Sequence, residues 1–435
     1  MPGATRYLVA YSGGRDSHVL LHLLSDARAR LSGRALCALH VDHGLHPDSA
    51  RWARHCVATC EELGVEYEIL TVHAAACHGE SPEAAAREAR YAALAARVGA
   101  GDALLLAQHR DDQAETLMLQ LLRGAGVRGL AAMPRHAVLG GGWLGRPLLD
   151  VPRTAIDDYA ARHGLRWVED PGNQERAFDR NFLRHEVLPL LHQRWPAASA
   201  TLARAASHQG EAATLLNQLA AQDWRQVALP DDALSVLALG ALDEARQRNL
   251  LRYWLADQRG LPLPDTRHLQ RILHEVAGAA PHAQPCVAWS GAQVRRYRDT
   301  LVAQAPLSRH DPERRLVWDL RAPLPLLELG ATLHCSDSEG EGLAVVRLAS
   351  LPLTVRFRQG GERCVPAGRA HHHVLKKLFQ EWGVPPWQRD RIPLIFAGEE
   401  LAQVVGYCVC EPFQARAGER AVVVQMRPLS PSGGR

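Results

Sequence analysis

The chain has 435 residues, of which 47% are hydrophobic and 22% are charged, and its formal net charge is +3. This length predicts two or three domains, and this composition excludes extensive disorder. No apolar run is long enough to span a membrane and no signal peptide is evident, so we expect a cytoplasmic protein without a membrane partner. The nine cysteines agree with this placement, because their number is odd and they form no C-x-x-C pair.

The first predicted elements are a strand and a helix joined by the sequence SGGRDS, residues 12–17. Residues 7–11 favour a strand, and the apolar residues from Val19 to Leu24 recur at helical spacing. Two adjacent glycines let backbone N–H groups turn inward, and the start of the following helix favours an anion. A bare Gly-Gly would indicate only an ordinary capped turn. Ser-Gly-Gly-x-Asp-Ser between a strand and a helix favours an anion site instead.

Strands and helices then alternate along the chain. The pattern predicts strands at 35–41, 65–72 and 102–107, a helix at 48–63, and a second helix at 82–98 that follows Ser81 as its cap. This alternation predicts an α/β fold with a doubly wound parallel sheet, whose ligand crevice lies at the carboxyl ends of the strands. Polar clusters fall at three of those ends: SGGRDS, HVDHG at 40–44 and QHRDDQAET at 108–116.

The third cluster contains a pair of acids at helical spacing. Asp112 and Glu115 are three residues apart on a predicted first helical turn, so both carboxylates share one face. Acids also favour helix starts for electrostatic reasons alone. Three acids next to His109 at the predicted crevice favour a functional role.

The glycine turn resembles the pyrophosphate loop of the ATP-pyrophosphatase (PP-loop) family, whose members cleave ATP between the α and β phosphates. With HVDHGL, DDQAET, LLRGAGVRGL and EDPGNQ…DRNFLRHEVLPLL in this order, about the first 190 residues resemble bacterial tRNA-Ile lysidine synthases. One position departs from the pattern, because the family usually has a His-His pair where this chain has Gln108 before His109. Only His109 inherits a role assigned to that pair.

The resemblance implies an adenine nucleotide alpha-hydrolase-like domain and a ligase. The family uses ATP and Mg²⁺ to join free L-lysine to C2 of the wobble cytidine of tRNA-Ile with a CAU anticodon, through an adenylated cytidine. It implies these nucleotide-binding residues: Ser12, Gly13, Gly14, Arg15, Asp16, Ser17, Asp42 and His109, with Asp16 as the Mg²⁺ ligand. It implies these catalytic or substrate-binding residues: Asp16, Asp112, Glu115, Arg180 and Arg184. A lysine amine of ordinary pKa, roughly 10.4, arrives protonated, so a carboxylate must bind it and help remove its proton.

The C-terminal half carries a second resemblance. Residues 354–391 contain eight Lys or Arg against three acids, interleaved with aromatic residues, and include the only two lysines, Lys376 and Lys377. Such a pattern suits RNA, although a solvated basic face is the simpler alternative. LKKLFQEWGVPPWQRDRIPLI resembles the terminal domain of lysidine synthases, which contacts the tRNA acceptor stem. We therefore predict a PP-loop domain at 1–195, a helical tRNA-binding domain at 196–310 and a basic α+β domain at 345–430, with Lys376 and Lys377 as tRNA contacts.

Three alternatives stay open from the sequence. A tRNA 2-thiolation enzyme of the same superfamily would adenylate a similar pyrimidine oxygen, but such enzymes usually use paired cysteines. An amidotransferase-type synthetase would need an ammonia source, and a nucleotide-sensing RNA-binding protein would need no catalysis. The sequence leaves the oligomeric state open, with a homodimer as one candidate.

Overall fold

The computed structural model describes residues 4–429 apart from 32, 43, 45–47, 73–81, 281–282 and 350. His43 of the second polar cluster and Ser81, the predicted helix cap, lie outside the described residues. The chain forms two compact units, Met1–Leu219 and Ala220–Arg435. Every helix within the described residues is too short or too polar to cross a membrane.

The first unit is built on one six-stranded sheet. Its strands are β1 Arg6–Ala10, β2 Ala35–Asp42, β3 Glu66–Thr71, β4 Asp102–Leu105, β5 His136–Leu139 and β6 Gly142–Gly145. Their order is β3-β2-β1-β4-β6-β5, and only β5 is antiparallel to its neighbour. The predicted doubly wound parallel sheet is therefore confirmed, while β5 was not predicted.

Helices cover both faces of this sheet. The helices that begin in this unit are α1 Arg15–Asp26, α2 Ser49–Glu62, α3 Pro82–Arg97, α4 Arg110–Leu122, α5 Val127–Leu130, α6 Arg153–Arg162, α7 Asp179–Phe182, α8 Leu188–Arg194 and α9 Ala198–Val227. The helical core residues on one face come from α1, α2 and α6, and those on the other from α3. Successive residues of β1 point to opposite faces. Tyr7 and Val9 pack with α1, α2 and α6, and Leu8 packs with Leu94 of α3 and with Val98, the residue after that helix. Because the central strands β1 and β4 are buried on both faces, they read as apolar runs rather than as alternating patterns.

The sheet order places a topological switch point beside β1. The chain runs outward from β1 to β2 and β3, and then crosses to β4 on the other side of β1. Ligands of doubly wound sheets bind at this point, outside the carboxyl ends of the strands. The loop that follows β1 and the start of α4 after β4 therefore meet at one place.

The second unit combines helices with antiparallel sheets. Its strands are β7 Ala228–Leu229, β8 Ala233–Ser235, β9 Cys286–Trp289, β10 Ala292–Tyr297, β11 Thr300–Gln304, β12 Leu316–Val317, β13 Leu324–Leu326, β14 Ala331–Glu339, β15 Leu343–Ala344, β16 Leu353–Arg356, β17 Arg363–Cys364, β18 His373–Val374, β19 Leu394–Ala397, β20 Glu400–Val404, β21 Cys408–Val409 and β22 Arg420–Pro428. Its helices are α10 Val236–Gly240, α11 Glu244–Tyr253, α12 Thr266–Arg271, α13 Val345–Leu348, α14 Leu375–Glu381 and α15 Pro386–Arg389. The larger sheets have the orders β7-β8-β11-β10-β9, β12-β16-β19-β20-β21 and β13-β14-β22-β15. The first of these sheets accompanies the helices predicted for 196–310, and its strands β10 and β11 lie almost entirely in a stretch, residues 293–326, whose weak alternation and prolines are consistent with strands and a linker.

Candidate active site

A cleft of about 480 Å³ opens at the carboxyl ends of β1, β2 and β4. Its lining includes Ser12, Asp16 and Ser17 from the loop after β1, Asp42 from the end of β2, and Asp112 from α4. The structure thus brings residues of all three predicted polar clusters together. Asp42 accepts a hydrogen bond from the backbone N–H of Gly44 at 2.9 Å, which fixes its carboxylate at the end of β2.

The loop between β1 and α1 requires glycine at one position. Gly13 has φ +82°, and a Cβ at this residue would lie 2.9 Å from Cys56 Sγ. Its carbonyl accepts a hydrogen bond from the N–H of Val168 at 3.0 Å. Gly14 is the residue before α1, and the first N–H groups of that helix have no intrahelical acceptor. This end of α1 can therefore bind an anion.

Side chains hold the loop from within. Ser17 Oγ donates to the carbonyl of Gly14 at 2.9 Å and lies 3.1 Å from Ser12 Oγ. Arg15 turns away from this pair, because its Nη1 lies 2.6 Å from Asp157 Oδ1 and its guanidinium sits over Trp167. Of the predicted loop residues, Arg15 thus ties the loop to α6.

His109 connects the loop to α4. Its ring is 1% exposed, and Nδ1 accepts the N–H of Asp111 at 3.2 Å, so the neutral ring carries its proton on Nε2. Nε2 lies 3.6 Å from Asp16 Oδ2 and 3.5 Å from Asp112 Oδ2. Burial lowers the pKa of His109, but the nearby carboxylates of Asp16, Asp112 and Asp111 outweigh it and raise the pKa overall. Burial raises the pKa of Asp16, yet His109 and two arginines bring it below its ordinary value, so Asp16 stays ionised.

Glu115 lies beneath the cleft and holds two arginines. Its side chain is 2% exposed. Arg184 donates from Nε to Oε1 at 2.7 Å and from Nη2 to Oε2 at 2.9 Å, and Nη2 also reaches Asp112 Oδ1 at 3.1 Å. Arg180 donates from Nε to Glu115 Oε2 at 2.9 Å and from Nη2 to Thr116 Oγ1 at 2.8 Å. Burial lowers the pKa of Arg184, but Glu115 and Asp112 raise it overall, so the Arg184 guanidinium stays charged.

Comparison with known proteins identifies the family. Family models match over residues 2–191 for a PP-loop domain, over 234–302 for a TilS substrate binding domain and over 353–426 for a TilS substrate C-terminal domain. The tRNA(Ile)-lysidine synthase of Coxiella burnetii is 44% identical over 98% of this chain and 94% of its own length. That of Methylococcus capsulatus is 45% identical over 97% of this chain and 96% of its own length. The chain belongs to the tRNA(Ile)-lysidine synthase family.

Gln108, the departure from the usual lysidine synthase pattern, has a defined partner. Its Oε1 accepts a hydrogen bond from Arg146 Nε at 3.0 Å, and Arg146 Nη1 donates to the carbonyl of Pro134 at 2.7 Å. A neutral amide acceptor therefore satisfies a buried arginine at the position where the family usually has histidine. This pairing could not be predicted from the sequence, because Arg146 lies 38 positions away.

Two other cleft residues were missed by the sequence analysis. His40 is buried at the end of β2, with Nδ1 3.0 Å from the carbonyl of Tyr11. Arg90 lines the cleft from α3. His40 falls inside the quoted HVDHG cluster, which could have indicated it, whereas Arg90 lies in an Ala-rich helix without any motif.

The lysine pair predicted to contact tRNA lies in the second unit, within the match to the C-terminal domain of the lysidine synthase family. Lys376 and Lys377 are exposed on α14, whereas Leu375, Leu378 and Phe379 of the same helix are buried. The helix thus packs through one face and presents both ammonium groups to solvent.

Proposed function

We propose that this protein joins free L-lysine to C2 of the wobble cytidine of tRNA-Ile with a CAU anticodon, using ATP and releasing AMP and pyrophosphate. Family membership supports this proposal. The observation that carries it is the meeting of the SGGRDS loop and Asp112 in one cleft, with the buried His109 ring close to both Asp16 and Asp112. An anion-binding loop facing a carboxylate suits a reaction that expels pyrophosphate and then admits an amine.

The first step activates the cytosine. Its O2 attacks the α-phosphate of ATP, and pyrophosphate leaves toward the loop, where backbone N–H groups and the hydroxyls of Ser12 and Ser17 receive it. Asp16 suits Mg²⁺, because its carboxylate is 36% exposed and ionised and a hard oxygen donor is the ligand that Mg²⁺ prefers. When bound, Mg²⁺ would neutralise phosphate charge. Asp42 would contribute a second carboxylate to the nucleotide side of the cleft.

The second step transfers lysine. Its ε-ammonium must lose a proton before the amine can attack C2 and expel AMP. Asp112 borders the cleft, so we propose that it binds the ammonium and accepts that proton. The oxygens of Glu115 accept hydrogen bonds from Arg180 and Arg184. Glu115 would therefore assist binding of the ammonium indirectly, by positioning Arg184 and, through it, Asp112. Arg180 and Arg184 would bind a substrate carboxylate or phosphate and keep part of their hydrogen bonds to Glu115 and Asp112.

We propose that the second unit recognises the tRNA body, with Lys376 and Lys377 on phosphates. The division into domains at 1–195, 196–310 and 345–430 belongs to this proposal. A cytoplasmic location agrees with a reaction on tRNA, ATP and free lysine. A homodimer is a prediction that sedimentation equilibrium can check.

Purified protein, labelled lysine, ATP and unmodified tRNA-Ile with a CAU anticodon provide the test. We expect label in the tRNA only when ATP is present, and one AMP and one pyrophosphate for each lysine. A tRNA with a different anticodon is the matched control. Pyrophosphate release without lysine incorporation, or incorporation of sulfur instead, would refute the proposal. Sulfur transfer is disfavoured by the thiols of α2, because burial raises the pKa of Cys56 to about 12 and that of Cys60 to about 11.

A further inference from the structure

Arg90 is the single basic side chain among the described arginines and lysines that line the cleft. The same lining contains four aspartates: Asp16, Asp42, Asp112 and Asp170. A cleft with this excess of carboxylates repels the phosphates and the carboxylate of its own substrates. Among the described residues of its wall, this single guanidinium therefore has a large effect on where an anion can bind.

The guanidinium of Arg90 has no acidic partner in the part of the chain that the structure describes. It lies 5.7 Å from the ring centroid of Tyr91, and the charges that act on it most include those of Arg87 and Arg180. Burial is the main cause that lowers its pKa, and the two arginines lower it further. A desolvated cation beside other cations is unfavourable unless an anion compensates it.

The other arginines around the cleft are satisfied within the protein. Arg180 and Arg184 bind Glu115, and Arg146 binds Gln108 and a carbonyl. Each of these would have to share its donors with an existing acceptor to bind a substrate. Arg90 can offer its donors without breaking an ion pair to a described residue.

We propose that Arg90 binds an oxyanion of the substrates, either the α-carboxylate of lysine or the phosphate of the adenylated cytidine. This inference rests on the proposed function. The planar guanidinium can make two parallel hydrogen bonds to either group. With Asp112 on the ammonium and Arg90 on the carboxylate, the two ends of lysine would be held by groups of opposite charge on different elements, α4 and α3. With the phosphate as ligand, Arg90 would act in the adenylation step instead.

Substitutions on α3 test this role with a built-in control. Arg90→Gln removes the charge, and Arg90→Lys keeps the charge but not the two parallel bonds. Arg87→Gln is the matched control, because Arg87 is exposed, lies 5.3 Å from the same Tyr91 ring and does not line the cleft. Thermal unfolding of all three variants checks that each is folded, and Arg90→Lys supplies the answer if Arg90→Gln does not fold.

Two measurements distinguish the two oxyanions. If the ligand is the carboxylate, Arg90→Gln raises KM for lysine by about 10- to 100-fold. The KM of wild-type protein for lysinamide is then higher than its KM for lysine by a similar factor. The variant then no longer discriminates between lysine and lysinamide. If the ligand is the phosphate, Arg90→Gln lowers tRNA-dependent pyrophosphate release by a similar factor, and KM for lysine is unchanged. In either case we expect Arg90→Lys to show a smaller change than Arg90→Gln in the affected quantity. Arg87→Gln stays within about twofold of wild type in both measurements.

The proposal is overturned if wild type is active and Arg90→Gln matches Arg87→Gln in both measurements. Failure of wild-type protein to incorporate lysine refutes the proposed function and not this inference. Arg90 is then judged by direct titration with ATP and with lysine, where weaker binding of either ligand by Arg90→Gln than by Arg87→Gln supports an oxyanion contact and equal affinity for both ligands overturns it.

Discussion

Replacing Glu115 with alanine tests the network beneath the cleft most directly. Glu115 is almost fully buried, and its carboxylate accepts three hydrogen bonds from Arg180 and Arg184. Glu115→Ala leaves two partly buried cations without their partner, which destabilises a protein by about 3–5 kcal/mol. Because Arg184 also holds Asp112, the same change displaces the carboxylate proposed to bind the ammonium. We therefore expect both a large loss of stability and abolished lysine transfer.

The assay combines urea unfolding of the first unit with single-turnover transfer of labelled lysine. Glu186→Ala is the control, because Glu186 pairs with Arg176 at the surface, where an ion pair contributes about 0–1 kcal/mol. Glu115→Gln keeps the shape of the side chain and removes its charge, so we expect an intermediate loss of stability and a severe loss of transfer. Unchanged stability in Glu115→Ala would refute the network, and unchanged turnover would remove Glu115 from the mechanism.

Three further predictions concern other parts of the chain. Gly13→Ala places a Cβ against the Cys56 thiol at a residue with positive φ, so we expect about 1–2 kcal/mol of destabilisation and weaker ATP binding by titration. Gly14→Ala should have milder effects, because the φ of Gly14 is ordinary. Equal effects of the two variants would contradict the loop geometry. Replacing Lys376 and Lys377 with alanine should weaken tRNA binding and reduce the slope of log affinity against log salt by about one for each phosphate contact. Arginine at both positions should leave tRNA affinity and this slope unchanged. An unaltered slope in the alanine variant excludes the contacts. Burial, together with neighbouring histidines, lowers the pKa of His18 in the folded state below its ordinary value of 6.5. The contribution of neutral His18 to stability is therefore present above pH 6.5 and is lost as the pH falls below 6.5. His18→Asn should lose less stability on acidification than wild type, and an equal fall of both urea midpoints contradicts the assignment.

The parallel sheet could be predicted because its signals are local. Along the sequence, each of the first four predicted strands is a short run of strand-forming residues followed by a helical pattern. The motif SGGRDS and the acids of α4 could be predicted to meet because parallel strands bring their carboxyl ends to one edge.

Other features could not be predicted because they depend on contacts between distant positions. The pairing of Gln108 with Arg146 joins residues 38 positions apart, and nothing near Arg146 indicates its partner. The role of Glu115 depends on Arg180 and Arg184, which lie 65 and 69 positions later in the chain and donate hydrogen bonds to its buried carboxylate. From the sequence alone Glu115 is only an acid near the start of a helix. Arg90 lies in a helix whose spacing indicates packing alone, and its importance follows from the absence of a nearby acid among the described residues.

A crystal structure with a non-hydrolysable ATP analogue tests the central claim most directly. We predict the β and γ phosphates at the N–H groups of residues 13–17, with the α-phosphate on the side of the cleft that carries Asp112. A nucleotide bound away from the glycine turn, or Asp112 turned away from the α-phosphate, would contradict the account.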